Sequence, residues 1–485
     1  MAGETTSRFW EEVVKVTLAF VAEPEQVGFP LWTAPLTTPL LASCLTAAGH
    51  EVELLDTRLC EAPLADELAA TSGDVVAISF MSHSRDEAFE VAALCREQGR
   101  ITIGGGAHPT VLPGELVDSG LFDHVVRGEG ERTLPRLVTD IERGRRPEEQ
   151  VLQGEPFDLL DYPQPRDDAA YRDVYRPPSF VSTSRAASLT GLTAEAVAEL
   201  ASRDDGLVDV DALRGLSAER FPATREFRSI YLELGRGCPF HCRYCTIQND
   251  WFAPKAGRAR PLADVVAEVR YFVDRYDTNY VILVDSIAPA YPDFARFAEF
   301  MKTDLPDVEF SFNCTSTHFT PAVAEALAGA NCLVWFGFET ASPRLLRALR
   351  KPGNARTQLR ATELCAEHGI RFGANLLLGV PGETTEDYEL TMEFLAETRP
   401  HSPNPNILTP LPGTDTYRRC LDEGLLRDPG HYRSWTADQI RTRGHGPLLG
   451  VDYDRVLSYH RRMLELDRTG EVVHVERGCH LKPHE

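Results

Sequence analysis

Gly235-Arg236-Gly237-Cys238-Pro239-Phe240-His241-Cys242-Arg243-Tyr244-Cys245 follows an apolar run, Ile230 to Leu234, that reads as a β-strand. The stretch therefore places three thiols, at C-x3-C-x2-C spacing, on a loop at the strand's C-terminal end. Thiolates gathered so closely are ligands for an iron–sulfur cluster or for zinc. Three is the informative count, because a structural zinc site is closed by four ligands, whereas a cluster with one uncovered iron keeps a place for a substrate. A zinc ribbon needs a second close pair. Here Cys44, Cys60, Cys95, Cys314, Cys332, Cys365, Cys420 and Cys479 all stand alone, and they read as buried small hydrophobes.

Downstream of the loop, strand and helix patterns alternate. Strands are expected at Ile230 to Leu234, Tyr280 to Val284, Glu309 to Asn313, Leu333 to Glu339, Arg371 to Leu378 and Asn406 to Thr409. Helices are expected at Ala263 to Arg275, Pro292 to Lys302, Pro321 to Ala328, Ala355 to Glu367 and Glu386 to Glu397. Such units suit a partial (βα)6 TIM barrel, whose site lies at the C-terminal ends of its strands. The polar residues there are Asp285, Ser286, Asn313, Glu339 and Asn375.

Upstream, residues 14 to 145 alternate in the same way, with strands at Val14 to Val21, Val52 to Asp56, Val75 to Phe80, Ile101 to Gly104 and His124 to Arg127. The pattern specifies an α/β, doubly wound, Rossmann-like module whose ligand sits at the strand ends. The candidates there are Ser79, Ser82, Gly104, Gly105, Gly106, His108, Gly128 and Glu129, since glycine lets backbone approach a ligand closely. The domains expected are 1–150, a linker and insertion over 151–227, the barrel over 228–425 and a mainly helical C-terminal tail over 426–485. The insertion carries a helix pattern at Ala194 to Ser202 and an acidic loop at Asp204 and Asp205. It reads equally as a lid over the site or as a surface-packed linker.

Composition narrows the function. The chain has 485 residues, 43% of them apolar, and a net charge of −23, which disfavours a nucleic-acid surface. No apolar stretch approaches the roughly 20 residues of a membrane span, and the N-terminus lacks a signal-peptide pattern, so a cytoplasmic protein is expected.

The cysteine motif, with Tyr244 before the last cysteine, resembles the signature of the radical S-adenosylmethionine (SAM) enzymes. Gly337-Phe338-Glu339-Thr340, Leu378-Gly379-Val380-Pro381-Gly382-Glu383-Thr384 and Thr409-Pro410-Leu411-Pro412-Gly413-Thr414 extend that resemblance over residues 228 to 420. It implies a [4Fe-4S] cluster on Cys238, Cys242 and Cys245, with SAM lying near Tyr244, Asp285, Ser286, Asn313, Glu339 and Asn375. It also implies an electron donor such as flavodoxin or ferredoxin. The succession Asp56, Ser79 to Ser82, Gly104 to His108 and Gly128 to Glu131 resembles the cobalamin (B12)-binding domain of one radical-SAM subgroup. Asp56-Thr57-Arg58 departs from D-x-H-x-x-G, having arginine where a cobalt-ligating histidine would stand. The combination implies methylation of an unactivated carbon of a small-molecule or peptide intermediate of secondary metabolism, by way of a deoxyadenosyl radical and methylcobalamin. The alternatives are oxidative cyclisation, rearrangement or dehydrogenation with the same cofactors, or a non-catalytic cluster-binding sensor or scaffold.

Overall fold

Val75–Phe80 is apolar on both of its faces, and such a strand needs a covering layer on each side. In the computed structural model it is β3 of a six-stranded parallel sheet, with β1 (Lys15–Val21), β2 (Glu51–Asp56), β4 (Ile101–Gly105), β5 (His124–Arg127) and β6 (Val151–Gln153). The order is β2-β1-β3-β4-β5-β6. The structure describes residues 14–22, 35–163, 180–182, 207–209, 229–246, 257–430 and 435–466, apart from positions 61, 146, 277 and 436. On one face, Val76, Ile78 and Phe80 pack on Ala88, Val91 and Cys95 of the helix Arg85–Glu97. On the other, Val16, Leu18, Val75 and Ala77 pack on Ala42 and Leu45 of the helix Thr37–Ala47 and on Leu134 and Val138 of Thr133–Glu142. Two cores on one sheet are what a doubly wound fold requires. Strand order reverses between β1 and β3, and ligands of such sheets bind at that switch point.

The chain divides into two compact units. β6 corrects the boundary expected at residue 150. It pairs with β5, and Phe157, Leu159 and Tyr162 beyond it close on Leu40. Within the insertion, β7 (Phe180–Ser182) pairs antiparallel with β8 (Leu207–Asp209); the helix expected at Ala194 to Ser202 and the acidic loop lie outside the described residues.

The second sheet is parallel too. It contains β9 (Ser229–Leu232), followed by a short antiparallel pair, β10 (Gly235–Arg236) with β11 (Arg258–Ala259), and then β12 (Tyr280–Leu283), β13 (Glu309–Cys314), β14 (Cys332–Glu339), β15 (Arg371–Leu378) and β16 (Ser402–Ile407). The order is β16-β15-β14-β13-β12-β9, the successive arrangement of a partial barrel. Phenylalanines set the outer layer: Phe310 and Phe312 meet Phe297 and Phe294 of one helix at ring separations of 5.8 and 5.7 Å, and Phe338 meets Phe394 of another at 5.2 Å. β16 starts four residues before the expected strand, because Pro403 and Pro405 hid it. Both occupy an edge strand, where a missing N–H can face away from the ladder. The described part of the tail is integral to this unit: Leu448 joins the core of Leu345, Leu377 and Leu408, and Tyr459 of the helix Tyr453–Leu464 stacks on Tyr388 at 4.5 Å.

Asp387 ties two helix starts together. It accepts from Ser342 Oγ at 2.5 Å and from Thr384 N and Oγ1 at 2.8 Å each, and pairs with Arg344. Burial pushes its carboxyl up, but these donors outweigh burial and hold it at about 2, below the ordinary 3.8. A depressed folded-state pKa gives stability that is present above pH 4 and lost as pH falls toward 2. Asp387→Asn should therefore cost about 2 kcal/mol at pH 7 and shed this part of the acid dependence, read as urea midpoints of both proteins across pH 2 to 7.

Candidate active site

The cysteine loop is fastened at both ends. Gly235, in β10, has room only for glycine, since a Cβ there would stand 2.3 Å from the Arg258 carbonyl oxygen. Asp285, just past β12, accepts from Leu234 N at 2.9 Å and Gly235 N at 2.8 Å. Burial pushes its carboxyl up to about 7, against the pull of those two N–H groups. Both oxygens are turned to backbone, so the residue braces the loop. Ser286 beside it is half-buried. At the other end, Arg243 donates from N to Leu349 O at 2.9 Å and from Nη1 to Ala348 O at 3.1 Å, and its carbonyl accepts from Thr416 N at 3.0 Å. Phe240 meets the His318 ring at 5.3 Å. Cys238, Cys242 and Cys245 lie outside any disulfide, each half-buried.

Beside the thiols stands an ion pair that the sequence reading missed in part. Glu339 ends β14 at a bulge, with φ of +63°, a conformation costing about 1–3 kcal/mol. Its Oε1 lies 2.9 Å from Lys351 Nζ, and both side chains are nearly buried. Gly337 makes the room: a Cβ there would stand 2.7 Å from Nζ and 3.0 Å from Oε1. The hydroxyl of the half-buried Tyr244 donates to Glu339, and burial followed by the Glu339 charge pushes it up. Burial alone would depress Lys351, but Glu339, with Cys242 and Cys245 adding, holds it above its ordinary range. Burial pushes the Cys242 thiol up to about 11 despite Lys351. It stays protonated until a metal displaces the proton. Lysine is scarce in this chain, five against 45 arginines. A compact ammonium where arginine is the rule was the available signal for Lys351.

Asn313 and Asn375 lie on the face of the sheet opposite the phenylalanine layer. Asn313 is exposed and Asn375 half-buried.

The residues suit a cluster with SAM. Among the described residues, no three His, Cys, Asp or Glu side chains converge as on one metal ion, and thiolates on separate irons of a cluster stand wider apart than that. A carboxylate and an ammonium beside the thiols match the ammonium and carboxylate of an amino acid.

In the first unit, Gly104 and Gly105 end β4 beside β3, and Gly106 follows. Gly106 has φ of +98°, and a Cβ there would meet Phe80 O at 2.8 Å. Gly105 is open, its nearest neighbour being Val126 O at 4.0 Å, so a flat ligand can approach the backbone. Ser79 is half-buried beside Gly106, and Gly128, at φ of +94°, donates from N to Thr110 Oγ1 at 3.0 Å. His108 is held from both ring nitrogens. It is fully buried, with Nδ1 3.1 Å from Ser82 Oγ and Nε2 3.1 Å from Glu115 Oε2, so its ring packs the loop. Ser82 is engaged with it. Glu129 accepts from Phe157 N at 2.6 Å and so anchors the departing chain. Arg58 is locked as well: Nη2 lies 2.6 Å from Asp56 Oδ2, and the guanidinium lies over Phe20 at 5.0 Å. The glycine cradle fits a corrin edge.

Residues 232–395 match the radical SAM superfamily and residues 28–138 match the B12 binding domain. An uncharacterized methyltransferase of Pyrococcus horikoshii is 24% identical, over 85% of this chain and 83% of its own. The anaerobic magnesium-protoporphyrin IX monomethyl ester cyclase of Rubrivivax gelatinosus is 25% identical, over 89% of this chain and 73% of its own. Among solved structures, the radical SAM methyltransferase TsrM of Kitasatospora setae, with cobalamin and a [4Fe-4S] cluster bound, superposes at a TM-score of 0.60. It is 20% identical and is covered over 87% of this chain and 85% of its own, a likeness of fold. A radical SAM domain holds a [4Fe-4S] cluster and SAM, and a B12-binding domain holds cobalamin. No helix among the described residues is long and apolar enough to cross a membrane.

Proposed function

Because the chain belongs to the radical SAM superfamily and carries a B12-binding domain ahead of its barrel, we propose that it methylates an unactivated carbon of a small molecule or peptide. The pairing of those two modules in one chain carries the reading. A carbon without acidity or lone pairs offers SAM no nucleophile, so polar methyl transfer fails there. Bound together, the three cofactors supply a 5′-deoxyadenosyl radical and a transferable methyl group. The chain's own part is to hold and orient them. Cys238, Cys242 and Cys245 hold the cluster, on a loop braced by Asp285 and Arg243. Lys351 and Glu339 present opposite charges to the carboxylate and ammonium of SAM. The Gly104–Gly106 backbone accepts the corrin edge. A reducing protein such as flavodoxin or ferredoxin supplies electrons. Similarity to the cyclase favours one second reading, an oxidative ring closure with the same cofactors.

The test is anaerobic reconstitution with iron, sulfide and hydroxocobalamin, followed by desalting and incubation with SAM and a reductant. Methyl transfer predicts stoichiometric retained cobalamin and formation of both 5′-deoxyadenosine and S-adenosylhomocysteine. Deoxyadenosine with retained cobalamin but no S-adenosylhomocysteine favours ring closure. Deoxyadenosine with no retained cobalamin sinks both readings.

A further inference from the structure

Side chains alternate along a strand, so the face opposite the phenylalanines carries Ser311 and Asn313 of β13, Trp335 and Gly337 of β14, Gly373 and Asn375 of β15, and Asn404 and Asn406 of β16. Trp335 closes its floor. The indole Nε1 donates to Ser311 Oγ at 3.1 Å, while a Cβ on Gly373 would meet the ring's far edge at 2.4 Å. The ring therefore lies across β13, β14 and β15 with its polar atom satisfied.

Beyond the floor three asparagines form a relay whose polarity can be read. Asn406 Nδ2 donates to the backbone carbonyls of Asn404 at 3.1 Å and Leu376 at 3.4 Å. A carbonyl only accepts, so this end of the Asn406 amide is its nitrogen. The Asn404 atom 2.9 Å from that nitrogen is then Oδ1, and Asn404 Nδ2 donates to Asn375 Oδ1 at 2.6 Å. Asn375 is left with its NH2 group unpartnered among the described residues. Two strands away the Asn313 amide is also unpartnered among the described residues. The charges on this face have opposite partners: Arg371 lies 3.2 Å from Glu309, and Lys351 lies 2.9 Å from Glu339.

We propose that Asn375 Nδ2 is the substrate-recognition donor of the barrel, and that it takes the oxygen of an uncharged carboxamide or peptide group, with Asn313 available to the N–H of the same group. A charged group here would meet neutral amides, while the charges of this face, Lys351 with Glu339 and Arg371 with Glu309, already have opposite partners, so an uncharged group with both a donor and an acceptor matches the amides best. The inference rests on the catalytic reading only in treating this face as the substrate's. It reassigns Asn313 and Asn375 from SAM to substrate.

Saturation-transfer NMR on the reconstituted full-length protein, with SAM present and with benzamide, benzoate and benzylamine as probes, tests it without turnover. Wild type should bind benzamide at least about fivefold more strongly than either charged probe. Asn375→Asp retains an acceptor for Asn404 but presents an anion, and should reverse the order in favour of benzylammonium. Asn375→Leu should lose benzamide without gaining benzylammonium. Thermal melts identify any variant that fails to fold, and Asn313→Ala then serves as the second probe, with benzamide binding expected to weaken severalfold. Benzamide binding indifferent to all three substitutions, no benzamide binding to wild type, or equal weakening of benzamide and SAM would overturn the proposal. An enzyme that makes no S-adenosylhomocysteine but passes this test refutes methyl transfer and leaves the amide assignment standing.

Discussion

Replacing any one of Cys238, Cys242 or Cys245 with alanine should strip the reconstituted protein of its iron–sulfur absorption. It should also lower reductant-dependent SAM cleavage a thousandfold or more, equivalent to about 4 kcal/mol in barrier. The expectation follows from the loop. All three thiols are half-buried and outside any disulfide, and the short chain between them has no histidine or carboxylate at ligand spacing except His241. Cys60→Ala and Cys95→Ala are the matched controls, since both lie in the other unit and should leave iron content unchanged. Iron and sulfide analysis with deoxyadenosine quantification decides it. A Cys242→Ala protein that keeps its full iron and its cleavage rate would refute the ligand assignment.

Lys351→Met should destabilise the barrel unit by about 3–5 kcal/mol and weaken SAM binding at least tenfold, because it strands the Glu339 carboxylate in a nearly buried place. Methionine retains the length and apolar stem and removes only the ammonium. Arginine is not a substitute, since the pocket is drawn tightly enough that a Cβ on Gly337 would already press on Nζ. The double variant Lys351→Met, Glu339→Gln removes both charges and should recover most of the stability while leaving SAM binding weak. Urea midpoints and equilibrium dialysis with labelled SAM separate the two effects. Wild-type SAM affinity in Lys351→Met would make the pair purely structural.

Much of this was legible beforehand for identifiable reasons. β3, β12 and most of β14 are apolar runs, and such runs in alternation with amphipathic helices specify parallel sheets. β16 was displaced because proline argues against a strand interior, and sequence does not say which strand will be an edge. β6 was missed because three residues carry too little pattern to be seen apart from the strand they pair with.

The site divides along the same line. A motif whose residues are local in sequence, as in Cys238 to Cys245, declares its chemistry through spacing alone. So do the glycines of Gly104–Gly106, whose need for close approach or positive φ is intrinsic to the residue. The pairings of Asp285 with Leu234 and Gly235, of Lys351 with Glu339 and of His108 with Glu115 are different in kind. Hydrogen-bond capacity is a property of the side chain, but whether that capacity is turned to a ligand or already satisfied within the fold depends on neighbours brought together by strand register and loop closure. The sequence by itself determined the two parallel sheets, the cluster loop and the cofactor classes. Only the tertiary structure decided that Asp285 and His108 are tied within their own units, that Lys351 pairs with Glu339 beside the thiols, and that Asn375 has its NH2 unpartnered among the described residues.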